Sequence, residues 1–514
     1  MRVWFVTAAG VILATAGVVR HQADRPEIVN PPRRPPAGIV FPLTAGHAYA
    51  VAISSNAECT LPCGPDSRYL LVVGSLGNPD GEYRVGLTSD VVDDLPGITE
   101  RKLGRTLRRL DSGRQPGPAA IPNLAPARMG NAPMDFFLHV AEGRLDDPRQ
   151  YARIATREIA LGAHVRVLVD RQVGESRGLQ QTASEIVRLF EREILPRFRT
   201  TLGPHCDTDG DGRLTVVLTP WLGRLQGGRT SLGGMVRPSD FRLDTPRPFS
   251  NRCDVLFLNP SLKTGPKLRA VLVHEYAHVV TFSRRFSRDN ASDSPPDMDD
   301  WLSEGIAHTA EHLQSVGWSN LDHRVAAYLR SPQSYPLVIS DYYRAGLWRN
   351  DGCRGATFLF LRWCADRFGE AFLRRMVDGR SAGVSGVEEA SGRRFADVFR
   401  DWTAALAAET CDGPVVEGRP LPRYSSIRLR GRLGTETLAG PAVVAWDGVS
   451  ALQVAVRGTS VCFVRLSCPV AGTRRLRIQA TPGARLQLTI IRLPSGPREK
   501  ARQPGTASKP GRLR

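Results

Sequence analysis

The stretch that most constrains the fold is His274-Glu275-Tyr276-Ala277-His278, set in an almost unbroken apolar run. No Pro or Gly interrupts residues 267–283, and Val271, Leu272, Val273, Tyr276, Val279 and Val280 surround the motif on most sides. This pattern predicts a helix buried nearly all round. Residues i and i+4 of a helix share a face, so His274 and His278 project their imidazoles together. Two such nitrogens can hold one zinc ion at roughly 2.0–2.1 Å each. Glu275 directly follows the first histidine and is placed to act on a water at the ion rather than to ligate it. By itself the motif is a moderate signal, because five-residue patterns of this kind arise by chance.

Such a site needs a third protein ligand and an open position. Residues 301–307, Trp-Leu-Ser-Glu-Gly-Ile-Ala, offer Glu304 on a second helix that Asp299 and Asp300 would start. His308 lies one turn beyond Glu304, on the same face.

H-E-x-x-H followed by W-L-x-E-G-x-A-x-x-x-E resembles the gluzincin metallopeptidases, and the Trp-Leu-x-Glu-Gly-x-Ala stretch is similar in style to the aminopeptidase N family. Residues 207–218, 355–369 and 395–406 lean towards the hyicolysin-like family of secreted bacterial neutral metallopeptidases. The resemblance covers about residues 163–409. It implies an α+β fold, a zincin-type metallopeptidase domain flanked by small all-β domains. It makes His274, His278 and Glu304 the zinc ligands and Glu275 the general base. The segment 284–300 departs from the pattern by being longer than the family's, which touches the third ligand more than the first two. A donor for the tetrahedral oxyanion is also needed. Tyr342, Tyr343 and His308 are open candidates, each with packing or surface placement as the plainer reading. Glu311 either orients His274 or His278 from behind or is a solvated helix glutamate. His312 reads as surface.

The 514 residues suffice for two to four domains. A net charge of +18 allows weak attraction to anionic surfaces, although arginine-rich coding is the duller explanation. No nucleic-acid recognition motif is present, and no basic stretch is interleaved with aromatics. Residues 1–19 read as a secretory signal peptide, with Ala14-Thr15-Ala16 as its cleavage site; an uncleaved membrane anchor is the alternative. No later stretch is apolar enough to span a bilayer. A secreted or extracytoplasmic location in a bacterium follows.

Residues 20–37 form a Pro-rich linker. Residues 38–94 predict an N-terminal β-domain, with strands at 49–54, 69–73 and 82–87. Residues 95–131 form a second linker. Residues 132–412 hold the metallopeptidase domain, with strands at 164–170, 214–218 and 255–258. A helix over 182–195 is expected to stop at Pro196, and further helices cover 354–368, 370–377 and 395–408. Residues 413–494 predict a C-terminal β-sandwich module, with strands at 452–456, 462–466 and 486–491. Residues 495–514 form a basic tail of disordered composition.

The nine cysteines, read with a signal peptide, suggest local disulfides Cys59–Cys63 and Cys462–Cys468, plus Cys206–Cys253, with Cys364 the free thiol among Cys353, Cys364 and Cys411. The run Asp207-x-Asp209-x-Asp211-Gly212 begins like an EF-hand loop, but Leu218 occupies position 12, where a bidentate Glu is required. An acidic turn before a strand is the preferred reading, with calcium at Asp207, Asp209 and Asp211 the alternative.

The function these features predict is zinc-dependent endopeptidase action on a protein or peptide substrate. An aminopeptidase would need an anionic anchor for the substrate's α-amine, and the G-x-M-E-N carrier of that family is missing. The other rival is an inactive core whose β-modules bind a partner; the intact Glu275 argues against it.

Overall fold

A computed structural model describes residues 39–40, 48–53, 56–64, 67–92, 135–141, 143–286, 295–410, 423–468 and 471–493. The expected signal peptide, both linkers, the tail, Cys411 and the middle of the 284–300 segment lie outside them. Among the described residues no helix is long and apolar enough to cross a membrane.

The architecture is α+β. A six-stranded sheet runs in the order Gly234–Met235, Val255–Leu258, Leu214–Leu218, Val165–Asp170, Tyr151–Leu161, Asp135–His139. Its three central strands are parallel, and their neighbours run antiparallel. Every residue of Leu214–Leu218 and of Val165–Asp170 is buried, as expected for a sheet covered on both faces. The alternation sorts them. Val165, Val167, Val169, Val216 and Leu256 face the helices, while Leu168, Val217, Val255 and Phe257 meet Leu222, Leu225, Leu232 and Met235 on the other face.

Helix Arg177–Leu189 starts on Ser176, whose hydroxyl accepts from the Leu179 amide. Pro196 does not end it. A π turn over Phe190–Ile194 hands the chain to helix Leu195–Thr200, and the Leu195 amide donates five residues back to the Phe190 carbonyl. The wider turn gives the proline ring the room that an α turn denies it. After the sheet come the helices Pro266–Phe286, Asp300–Leu313, Asp322–Arg330, Asp351–Phe368, Ala371–Asp378, Gly383–Ser391 and Phe395–Ala408.

The two flanking β-domains are not separate. One five-stranded sheet is ordered Ile39–Val40, Asn56–Cys63, Gly472–Ala480, Glu82–Val92, Leu452–Arg457. The other is ordered Val443–Trp446, Val461–Ser467, Arg68–Ser75, Leu486–Leu493, Ala48–Ile53. Each sheet mixes strands from both ends of the chain, so the six-stranded sheet and its helices are an insertion between Val92 and Val443 within one sandwich. The physical reason is edge satisfaction. Glu82–Val92 pairs with Gly472–Ala480 on one side and Leu452–Arg457 on the other, partners its own segment does not supply. One sheet packs on the helices: Leu70, Val72, Phe463 and Ile491 share a core with Phe399, and Gln487 Nε2 donates to the Ala396 carbonyl at 2.8 Å.

The disulfide follows this topology. Cys63 is bonded to Cys468, 405 residues on, while Cys59 and Cys462 are buried thiols and Cys206 and Cys253 are not bridged. The expected local pairs fail because both lie along extended strands. Four or six residues at about 3.3 Å each put the sulfurs far beyond the ~7 Å Cα limit of a bridge. A protease site engineered into residues 95–131 and cut should therefore release nothing under native conditions. Denaturing gels should show two fragments only after reduction. Release of a free N-terminal fragment on native gel filtration would restore the two-domain description.

Candidate metal centre

Helix Pro266–Phe286 begins with a proline, whose missing amide costs nothing in a first turn, and is buried along nearly its whole length from Leu268. Helix Asp300–Leu313 packs beside it. Its first turn is tied down by Asp300, whose amide donates to the Ser340 carbonyl and whose carboxylate accepts from the Tyr342 amide. Gly305 lets this helix approach Asp351–Phe368: a Cβ there would lie 2.6 Å from Leu361 Cδ1.

These packings bring His274, His278 and Glu304 together. The two Nε2 atoms are 3.3 Å apart, and the Glu304 oxygens lie 3.5 Å from His274 Nε2 and 3.7 Å from His278 Nε2. Each residue is at most 2% exposed. Bonds of roughly 2.0–2.1 Å to one tetrahedral ion place ligand atoms about 3.3–3.4 Å apart, so the donor set fits a zinc-like ion without rearrangement. Both Nδ1 atoms are engaged, which leaves Nε2 facing inward. His274 Nδ1 meets Glu311 Oε1 at 2.7 Å, and His278 Nδ1 meets Ser303 Oγ at 3.0 Å. Outer partners of this kind fix ring orientation and ligand basicity.

The two histidines differ in charge environment. Burial pushes His278 down to about 3. Burial works in the same direction on His274, but the carboxylates of Glu304 and Glu311 prevail and raise it to about 10. Burial would raise Glu304, yet Arg354 and the histidines hold it well below the usual carboxylate range.

Glu275 is 1% exposed, its Oε2 has no hydrogen-bond partner, and burial raises it to about 8. The strand Gly234–Met235, which ends the sheet, presses against it. A Cβ on Gly234 would sit 2.5 Å from Glu275 Cγ, so only glycine allows this approach.

Glu311 and His308 lie behind the site. Glu311 Oε1 also meets His308 Nδ1 at 2.9 Å, and Asn320 Nδ2 donates to both Glu311 oxygens. His308, 1% exposed, faces this cluster and its ring lies 5.0 Å from that of His274. Tyr342 is buried beneath the Arg354 guanidinium, 5.2 Å from ring centre to Cζ, while Tyr343 is 50% exposed. His312 is half-buried between Trp318 and Phe358 rather than at the surface.

Ser303, Asn320, Arg354 and Gly234 were not anticipated. Ser303 sits inside the Trp-Leu-Ser-Glu-Gly stretch and was within reach of sequence reasoning; the others carry no local signal. The acidic turn is satisfied in part, and both Asp209 oxygens are buried without a hydrogen-bond partner. Asp207 accepts from the Gly210 and Gly212 amides, and Asp211 pairs with Arg166 at 2.6 Å. Asp209 lies within reach both of Asp207 and Asp211 and of Cys253 and Asp254, and nothing further supports the calcium expectation.

A stretch of 157 residues, 29% of the chain, is 28% identical to the neutral metalloprotease ShpI of Staphylococcus hyicus. The match spans 34% of that protein's length. No family model matches the chain.

Proposed function

We propose that this chain is a zinc-dependent endopeptidase of the gluzincin kind that works outside the cytoplasm. His274, His278 and Glu304 are its zinc ligands and Glu275 is its general base. The observation that carries the reading is the convergence of three buried donors at tetrahedral spacing, with the Glu275 carboxylate beside them, whose Oε2 has no hydrogen-bond partner. The partial likeness to a neutral metalloprotease points the same way. The export signal read in residues 1–19 supports the location.

When bound, zinc would acidify a water and polarise the substrate carbonyl. The protein's own residues do the rest. Glu275 takes the proton from the attacking water and passes it to the leaving amine. Ser303 and Glu311 hold the imidazoles in the tautomer that points Nε2 inward. Burial keeps bulk water from these groups and strengthens each interaction among them. The strand Gly234–Met235 runs beside Glu275 at the end of the sheet, where an extended peptide can add by backbone hydrogen bonds.

The direct test is zinc content and peptide hydrolysis of the purified chain. We expect one zinc per chain and cleavage that a chelator abolishes and added zinc restores. If the zinc-loaded protein cleaves nothing in a broad peptide library, the inactive-core binding protein becomes the better description.

A further inference from the structure

We infer that Arg354 is a positioning residue that anchors the Glu304 carboxylate for the metal. The inference rests on the zinc site proposed above and adds a residue from outside its motifs. Arg354 stands in the first turn of helix Asp351–Phe368 and is 4% exposed. Its Nη1 donates to Glu304 Oε2 at 2.6 Å. Nε and Nη2 both donate to the Trp348 carbonyl, at 3.1 and 3.0 Å, and the Tyr342 ring lies against the guanidinium.

The fork is therefore gripped by a backbone carbonyl and an aromatic face before it reaches the carboxylate. Its base is equally fixed. A Cβ on the adjacent Gly355 would lie 2.1 Å from the Arg324 carbonyl oxygen, so this helix is seated tightly on Asp322–Arg330. Arg354 cannot follow Glu304 if that side chain rotates, and so it acts as an anchor.

Two consequences follow. Glu304 has three rotatable bonds, and the Arg354 hydrogen bond restrains its Oε2, which also lies 3.5 Å from His274 Nε2. Both oxygens therefore stay turned towards the imidazoles, Oε1 lying 3.7 Å from His278 Nε2. Opposing this, a permanent cation near a second cation is repulsive. Anchoring and repulsion predict opposite signs for the loss of Arg354, which makes the inference testable.

The experiment measures zinc affinity of the full chain by competition with a chelator, for the wild type, Arg354→Ala and Arg354→Lys, each checked for folding by circular dichroism. Loss of an outer partner of a ligand costs about 10–100-fold in metal affinity. We expect that loss in Arg354→Ala and a smaller one in Arg354→Lys, which keeps the charge but loses the fork. Cobalt substitution supplies a second readout. The visible cobalt bands of Arg354→Ala should differ in position or intensity from those of the wild type, because the released Glu304 carboxylate is free to change its orientation. If Arg354→Ala fails to fold, Arg354→Lys carries both measurements. Unchanged or tighter zinc binding, with an unaltered cobalt spectrum, overturns the anchoring role while leaving the zinc site in place. A wild-type chain that binds no zinc overturns the site itself.

Discussion

Glu275→Gln is expected to keep the zinc and the fold while lowering peptide hydrolysis by about 10²–10⁴-fold, the usual worth of general acid–base assistance. The substitution preserves shape in a place where shape matters. Glu275 is buried, with the strand at Gly234 packed against its side chain, so a truncation would open a gap that glutamine fills. Helix propensity is nearly equal for the two residues. What disappears is the group that can accept a proton. Glu275 Oε2 has no hydrogen-bond partner, so no other contact of that atom is lost with it. Zinc content by elemental analysis, a melting curve and kcat/KM on one peptide decide the matter. Wild-type turnover in the folded, zinc-loaded variant would remove Glu275 from the mechanism. Loss of zinc along with activity would mean that Glu275 is itself part of the metal's coordination.

The second large effect is on the metal. His278→Ala should purify with far less than one zinc per chain and with hydrolysis at background. Two imidazoles and one carboxylate are the smallest protein set that holds a catalytic zinc, and the helix brings no replacement within reach. The side chain is also packed: its ring stacks on Phe282 with centroids 5.8 Å apart, and Nδ1 meets Ser303. Some loss of stability is therefore expected, on the order of 2–5 kcal/mol for a large-to-Ala change in a core. Saturating zinc separates the two effects. If added zinc restores full activity to the folded variant, His278 is not a ligand. If the variant is folded and remains inactive and metal-free, the assignment stands.

Local periodicity by itself determined the helix Pro266–Phe286 and the convergence of His274 with His278, because an i, i+4 pair shares a face wherever a helix forms. It also marked the helix Asp300–Leu313 and the buried strands Val165–Asp170, Leu214–Leu218 and Val255–Leu258, whose apolar runs have no other stable use. Partner choice was not legible. A period of two tells a strand which face to bury, and nothing about which distant strand will lie beside it. The sequence therefore suggested two β-domains where the chain builds one sandwich, and short-range cysteine pairs where Cys63 joins Cys468. Pro196 misled for a related reason: a π turn absorbs the proline, and the packing that sustains such a turn is not local. At the site, tertiary structure alone decided the outer partners. Arg354 reaches Glu304 across 50 residues, and Asn320 reaches Glu311 from the next connection. Such contacts form only once the helices and their connections pack together, so no spacing rule in a single chain encodes them.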